Sequence, residues 1–263
     1  MTAEGLQAAR VLADRYAEVV SDLGPDDWAR PSRCPGWSVQ DLVAHTGSNF
    51  RVLAEPPDPD APPPPVETAE QLQELLVAQR RGWSSDEVRA EFLDHVAPAM
   101  AALAAVQAEP VANAPLALTD LGIYPMHTLA DAFAFDLWCH FTVDLLAPGG
   151  PVAQPAPAPT DDLLAPAIGW MLTGLPQMCR SVSAVLDRPL GLRLTGPGGG
   201  EWTLLPGEPL TVEPGLRDPA ATATSPATAF VLWGTTRSPW RDDVRLDGDE
   251  GYAARVLDEV DIV

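Results

Sequence analysis

The chain has 263 residues, with 16 basic against 37 acidic side chains and a formal charge of −21. Such acidity repels phosphate backbones and anionic lipid heads, which excludes nucleic acid and membrane surfaces as partners. A hydrophobic share of 46% with 20% charged residues is that of a globular chain of one or two domains with a real core, despite 29 prolines.

The start carries Glu4, Asp14 and Glu18 where a secretion signal needs a basic end and an apolar middle. No run of eighteen apolar residues follows, so a cytoplasmic location is expected. Cys34, Cys139 and Cys179, an odd number in an unsecreted chain, read as free thiols. All 16 basic residues are arginine, which with abundant Ala, Pro and Gly reads as the coding bias of a GC-rich genome.

In chain order, Leu12, Tyr16, Val19 and Leu23 mark the apolar stripe of a first helix over 5–23, ended by Gly24-Pro25. Ser38 with Asp41 forms a capping signature that opens a second helix to about Ala54, with His45 on its inward stripe. The segment 55–65, with seven prolines in eleven positions, predicts an extended connection. A polar helix follows over 66–81, then Ser84 with Glu87 opens a longer one to about Gln107, kinked at Pro98. The most apolar helix is predicted over 127–146, closed by Pro148-Gly149-Gly150. After a Pro-Ala linker, a helix runs from Thr160 to about Leu186, with Pro166 in its first turns and a kink at Pro176. From Arg188 the texture changes: GLRLTGPGGGEWTLLP reads as a hairpin, followed by a short helix near 225–233, a strand near 243–246 and a last helix over 249–260. The expectation is a mainly α protein, with a helical domain over 1–187 and a small α+β domain over 188–263.

Asp136 and His140, four apart, lie about 40° apart around a helix and so on one face. A carboxylate and an imidazole on an apolar helix must be paired or coordinated to offset desolvation. From spacing alone, a structural hydrogen bond and a metal site stand equally open. Together with His45, the pair completes two imidazoles and one carboxylate from two helices, which suits zinc and leaves a position open. Asp144, one turn beyond His140, reads as a water-exposed helix-end carboxylate, the alternative being a group that orients the imidazole. Cys139 reads as packing. Cys34 precedes the second helix, and the base and electropositive setting that a catalytic thiol needs are not visible beside it. His95 and His127 read as surface or capping residues.

The stretches RPSRCPGWSVQDLVAHTGSNF, FDLWCHFTVDLLAPGGP and LWGTTRSPWRDDVRLDGDEGYAARVL resemble, in order and spacing, the mycothiol-dependent maleylpyruvate isomerase family. The resemblance implies a DinB-like four-helix bundle followed by a small domain similar to sterol-carrier proteins. It implies a divalent metal, usually zinc, on a histidine of the second helix and a carboxylate-x-x-x-histidine pair, which here are His45, Asp136 and His140. The family commonly has glutamate where this chain has Asp136. An arginine from the C-terminal domain faces the site in the family, and its nearest match here is Arg237. The resemblance also implies mycothiol, the small thiol of actinobacteria, as cosubstrate, with metal-activated addition, isomerisation or S-transfer on a small electrophile. Monomer and homodimer are both compatible with it. Two other classes stay open: a non-catalytic metal- or ligand-binding regulatory protein, and a metal-assisted hydrolase using Asp144 as general base.

Overall fold

The computed structural model describes residues 3–56, 58 and 64–262, so most of the expected proline-rich connection lies outside the described residues. The chain divides into two compact units, Met1–Ala158 and Pro159–Val263. The first is mainly α and the second α+β. No helix among the described residues is long and apolar enough to cross a membrane.

The first unit contains α1 (Ala3–Asp22), α2 (Val39–Ala54), α3 (Ala69–Ala78), α4 (Ser85–Ala105) and α5 (Leu129–Leu137). Both expected capping boxes form: Ser38 with Asp41 opens α2, and Ser84 with Glu87 opens α4. Each pair satisfies backbone donors that a helix start leaves unpaired. At the other end of α1, Arg89 donates to the carbonyls of Val20 (3.2 Å) and Leu23 (2.9 Å), closing the helix where Gly24 breaks it. Helix α2 packs on α4 and α3, and α1 packs on α4 and α5. Gly47 permits the close approach of α2 to α4, because a Cβ there would stand 3.3 Å from the Phe92 Cα. The core is aromatic: Tyr16 stacks on Phe141 at 4.8 Å and meets Phe92 at 4.8 Å, and Phe92 meets Phe50 edge-on at 5.2 Å.

The predicted helix over 127–146 is not one α-helix. Beyond α5 the chain widens into a π-helical segment, Trp138–Leu145, where the Leu146 N–H reaches back to Phe141 O and the Thr142 hydroxyl donates to Trp138 O. Two short pairings also escape the sequence reading: β1 (Pro115–Ala117) with β2 (Ile123–Pro125), antiparallel, and β3 (Leu146–Ala147) with β4 (Val152–Pro155), parallel.

In the second unit, the helix expected over 160–186 breaks at Cys179 into α6 (Asp161–Met178) and α7 (Arg180–Val185). Helix α6 packs on α7 and on α8 (Ala227–Gly234), so this helix belongs with the C-terminal unit, whereas the sequence places the boundary after residue 187. The expected hairpin forms from β5 (Leu190–Thr195) and β6 (Gly200–Leu205). It continues into β7 (Thr211–Pro214), while β8 (Ala221–Pro226) pairs in parallel with β5 and β9 (Arg245–Gly248) closes the edge, in the order β7-β6-β5-β8-β9. Leu190, Leu192 and Leu194 are buried together with Phe230 and Trp233 of α8 and with Tyr252 and Val256 of α9 (Glu250–Leu257). The alternation of β5 thus supplies the apolar side of this sheet.

Candidate functional site

The first unit brings together His45, Asp136 and His140, and adds Cys34 and Asp144. His45 is carried by α2 and is 3% exposed. Asp136 comes from α5, and His140 and Asp144 from the π-helical segment. Asp136 Oδ1 stands between the two imidazoles, 3.2 Å from His45 Nε2 and 3.6 Å from His140 Nε2. The Asn49 side-chain amide lies 3.5 Å from the same His45 nitrogen.

The other edge of His140 is equally occupied. Its Nδ1 lies 2.9 Å from Asp144 Oδ2, and the Cys34 thiol donates to that oxygen at 3.1 Å while standing 3.5 Å from Nδ1. Asp144 is therefore not a water-exposed helix end: it is fully buried and orients the imidazole. The basic partner that the sequence does not reveal beside Cys34 is His140, 106 residues away. A local signal for the loop does exist. Pro35-Gly36 is the central pair of a type II turn, with Gly36 at φ +82 and the Trp37 N–H donating to Cys34 O at 3.1 Å. The Arg33 N–H donates to Asp144 O at 3.0 Å, tying this turn to the π-helical segment.

Trp37 covers the imidazoles, its ring 5.1 Å from His45 and 6.3 Å from His140. Its indole N–H donates to Glu74 at 3.1 Å. Arg81 pairs with Glu74 at 2.7 Å, and with Trp37 it holds the Glu74 carboxyl below its ordinary range.

Electrostatics separate the two histidines. Burial drives His45 below its ordinary value, and the charge and hydrogen bond of Asp136 recover only part of that. Burial also acts against His140, but the charge of Asp136, the hydrogen bond to Asp144 and the neighbouring Cys34 outweigh it and raise the ring to about 10. These carboxylates thus favour a positive charge between them.

The remaining candidates lie elsewhere. Cys139 is buried in the core. His95 is half-buried, with Nδ1 against Glu91 O at 2.7 Å, and half-buried His127 accepts from Gln107 through its backbone carbonyl. Arg237 is half-buried just after α8 in the second unit, with its N–H donating to Leu232 O.

Residues 9–145, which carry every one of these first-unit site residues, match the family model described as Mycothiol maleylpyruvate isomerase N-terminal domain. The chain belongs to this family. A crystal structure of the mycothiol-dependent maleylpyruvate isomerase, and one of its histidine-to-alanine mutant, are similar to it with TM-score 0.60 at 18% identity, covering 93% of this chain and 92% of theirs. That likeness shows a shared fold over both units' sequence. No curated protein matches the chain. Among the described residues, His45, Asp136 and His140 form one group, and Cys34, His140 and Asp144 another, whose donor atoms lie close enough together to hold a metal ion.

Proposed function

We propose that this chain is a mycothiol-dependent metalloenzyme in which His45, Asp136 and His140 hold a divalent ion, zinc by choice of donors, and a thiol attacks a small electrophile. The observation that carries this reading is the position of Asp136 Oδ1 between two Nε2 atoms at 3.2 and 3.6 Å. Donors bound to zinc at about 2.0 Å on a tetrahedron would lie roughly 3.3 Å from one another, and separations of 3.2 and 3.6 Å are compatible with His45, Asp136 and His140 holding such an ion. One carboxylate and two imidazoles leave a position for an exogenous ligand. When bound, the ion lowers the pKa of a thiol and so supplies a thiolate at neutral pH.

The chain's own side chains prepare that chemistry. Asp144 holds a proton on His140 Nδ1, so the proton that an incoming metal would displace from this positively charged ring is the one on Nε2, facing Asp136 and His45. His45, buried and held neutral, offers its lone pair without first losing a proton. Trp37 covers both rings and limits water beside them. Addition of the thiol to an activated double bond followed by elimination gives isomerisation, and displacement of a leaving group gives S-transfer. The charge of −21 opposes capture of an anionic substrate at long range. A hydrolytic route through Asp144 as base is disfavoured, since that carboxylate is fully buried and engaged by His140 and Cys34.

The test is elemental analysis of the purified protein together with mycothiol titration followed by thermal shift. Wild type is expected to hold one equivalent of zinc and to gain stability with mycothiol, and His45→Ala and His140→Ala are expected to lose the metal. Full metal retention in both variants overturns the site assignment, and bound zinc with no response to mycothiol overturns the thiol.

A further inference from the structure

His140 belongs to two donor sets, one on each ring nitrogen. Its Nδ1 forms a triangle with Cys34 Sγ and Asp144 Oδ2, with sides of 3.5, 3.1 and 2.9 Å. Thiolate, imidazole and carboxylate are the three ligand types zinc takes, and bonds of about 2.3 Å to sulfur and 2.0 Å to nitrogen and oxygen span donor pairs of roughly 3.3–3.6 Å. The triangle therefore needs to open by only a few tenths of an ångström to enclose an ion. Asp144 is fully buried, so its charge is held where a cation compensates it well. Half-buried Cys34, on the turn at Pro35-Gly36, gives access from solvent.

We propose that Cys34, His140 and Asp144 form a second metal position, selective for thiophilic ions, and that filling it withdraws His140 from the set it shares with His45 and Asp136. Selectivity follows from the thiolate, which the other set lacks. Competition follows from the imidazole, which offers one lone pair while neutral. When an ion binds at Nδ1, the Cys34 thiol and the Nδ1–H each give a proton to solvent, and the remaining ring proton stays on Nε2, where it faces Asp136 Oδ1. The Nε2 lone pair is then lost to the first set, so a thiophilic ion acts as an off-switch. The second position stands on its own geometry, and only the competition rests on the proposed function.

The experiment titrates cadmium(II) alone into wild type, Cys34→Ser and His45→Ala, following the ultraviolet thiolate-to-metal charge-transfer band. Alkylation of Cys34 by iodoacetamide is mapped by mass spectrometry in wild type with and without the ion. The band is expected in wild type and in His45→Ala and not in Cys34→Ser, and cadmium is expected to slow alkylation of Cys34 at least about tenfold. The other two cysteines are buried, so they do not supply the signal. No band in wild type, a band that survives Cys34→Ser, or an unchanged alkylation rate overturns the proposal; the last needs no variant to fold. If zinc is lost in His45→Ala but cadmium gives no thiolate band, the second position falls and the first stands. If the band forms while His45→Ala keeps its full zinc content, the second position stands and the first falls.

Discussion

At the scale of single residues, the first unit holds carboxylates in very different surroundings. Asp144 and Asp136 face imidazoles, but Asp131 is packed against Gly5, where a Cβ would stand 2.0 Å from its Oδ1. Burial, aided by Glu4, raises Asp131 from 3.8 to about 7. The folded chain therefore keeps this proton up to about pH 7, whereas the unfolded carboxyl loses it near its ordinary value. Below about pH 4 both states are protonated and folding is unaffected. Stability falls as pH rises between the two values, and above about 7 the full penalty of a buried charge remains. Asp131→Asn preserves the shape and cannot ionise. It is expected to melt with wild type near pH 4 and a few degrees above it at pH 8.5 in calorimetric scans. A difference that does not change with pH would contradict the assignment of the raised carboxyl.

Elements, rather than residues, decide how much of this was legible beforehand. Helices α2 and α4 were readable from Ser38-Asp41 and Ser84-Glu87, because a capping box is local chemistry. That Asp136 and His140 fall close together follows from their four-residue spacing, and the fold brings His45 of α2 to them. The π-helical turn was not legible, since the extra residue per turn is chosen by packing against Tyr16 and by the strand β3 that follows. The role of Cys34 is hidden because its partners His140 and Asp144 lie more than a hundred residues away in sequence; Asp144 is only four residues from His140, but its burial comes from tertiary packing; and β8, an Ala-Thr segment, is a strand because β5 and β9 pair with it on either side. The joint between α3 and α4 was equally silent. There the buried Arg80 pairs through two nitrogens with the buried Glu91, and also donates to Leu76 O at 2.7 Å. Removing one partner of such a pair leaves an uncompensated buried charge. Arg80→Ala is expected to cost about 3 kcal/mol, the low end of that class, because Arg51 also reaches Glu91 at 3.4 Å. Arg80→Met with Glu91→Leu is expected to recover most of the loss. Urea titration of the three proteins measures both effects, and a loss unrelieved in the double variant would show that the charge itself is not the cause.

The whole molecule joins a metal-capable helical unit to a sheet-bearing one, with a boundary at Ala158/Pro159. Both the proposed ligand set and the second position lie in the first unit, so metal binding is linked to the folding of that unit. An ion that binds only the folded form stabilises it by about 2.7 kcal/mol at a free concentration one hundred times its dissociation constant. For a unit of this size that corresponds to an upward shift of roughly 5–10 °C. Differential scanning calorimetry with zinc and with a chelator is therefore expected to move the transition belonging to 1–158 by this amount while that of 159–263 stays in place. His45→Ala should abolish the shift without lowering the second transition, since the proposed ligands all lie in the first unit. Equal displacement of both transitions would mean that the two units unfold as one cooperative body, and an unmoved first transition would mean that its imidazoles and carboxylates pair only with each other.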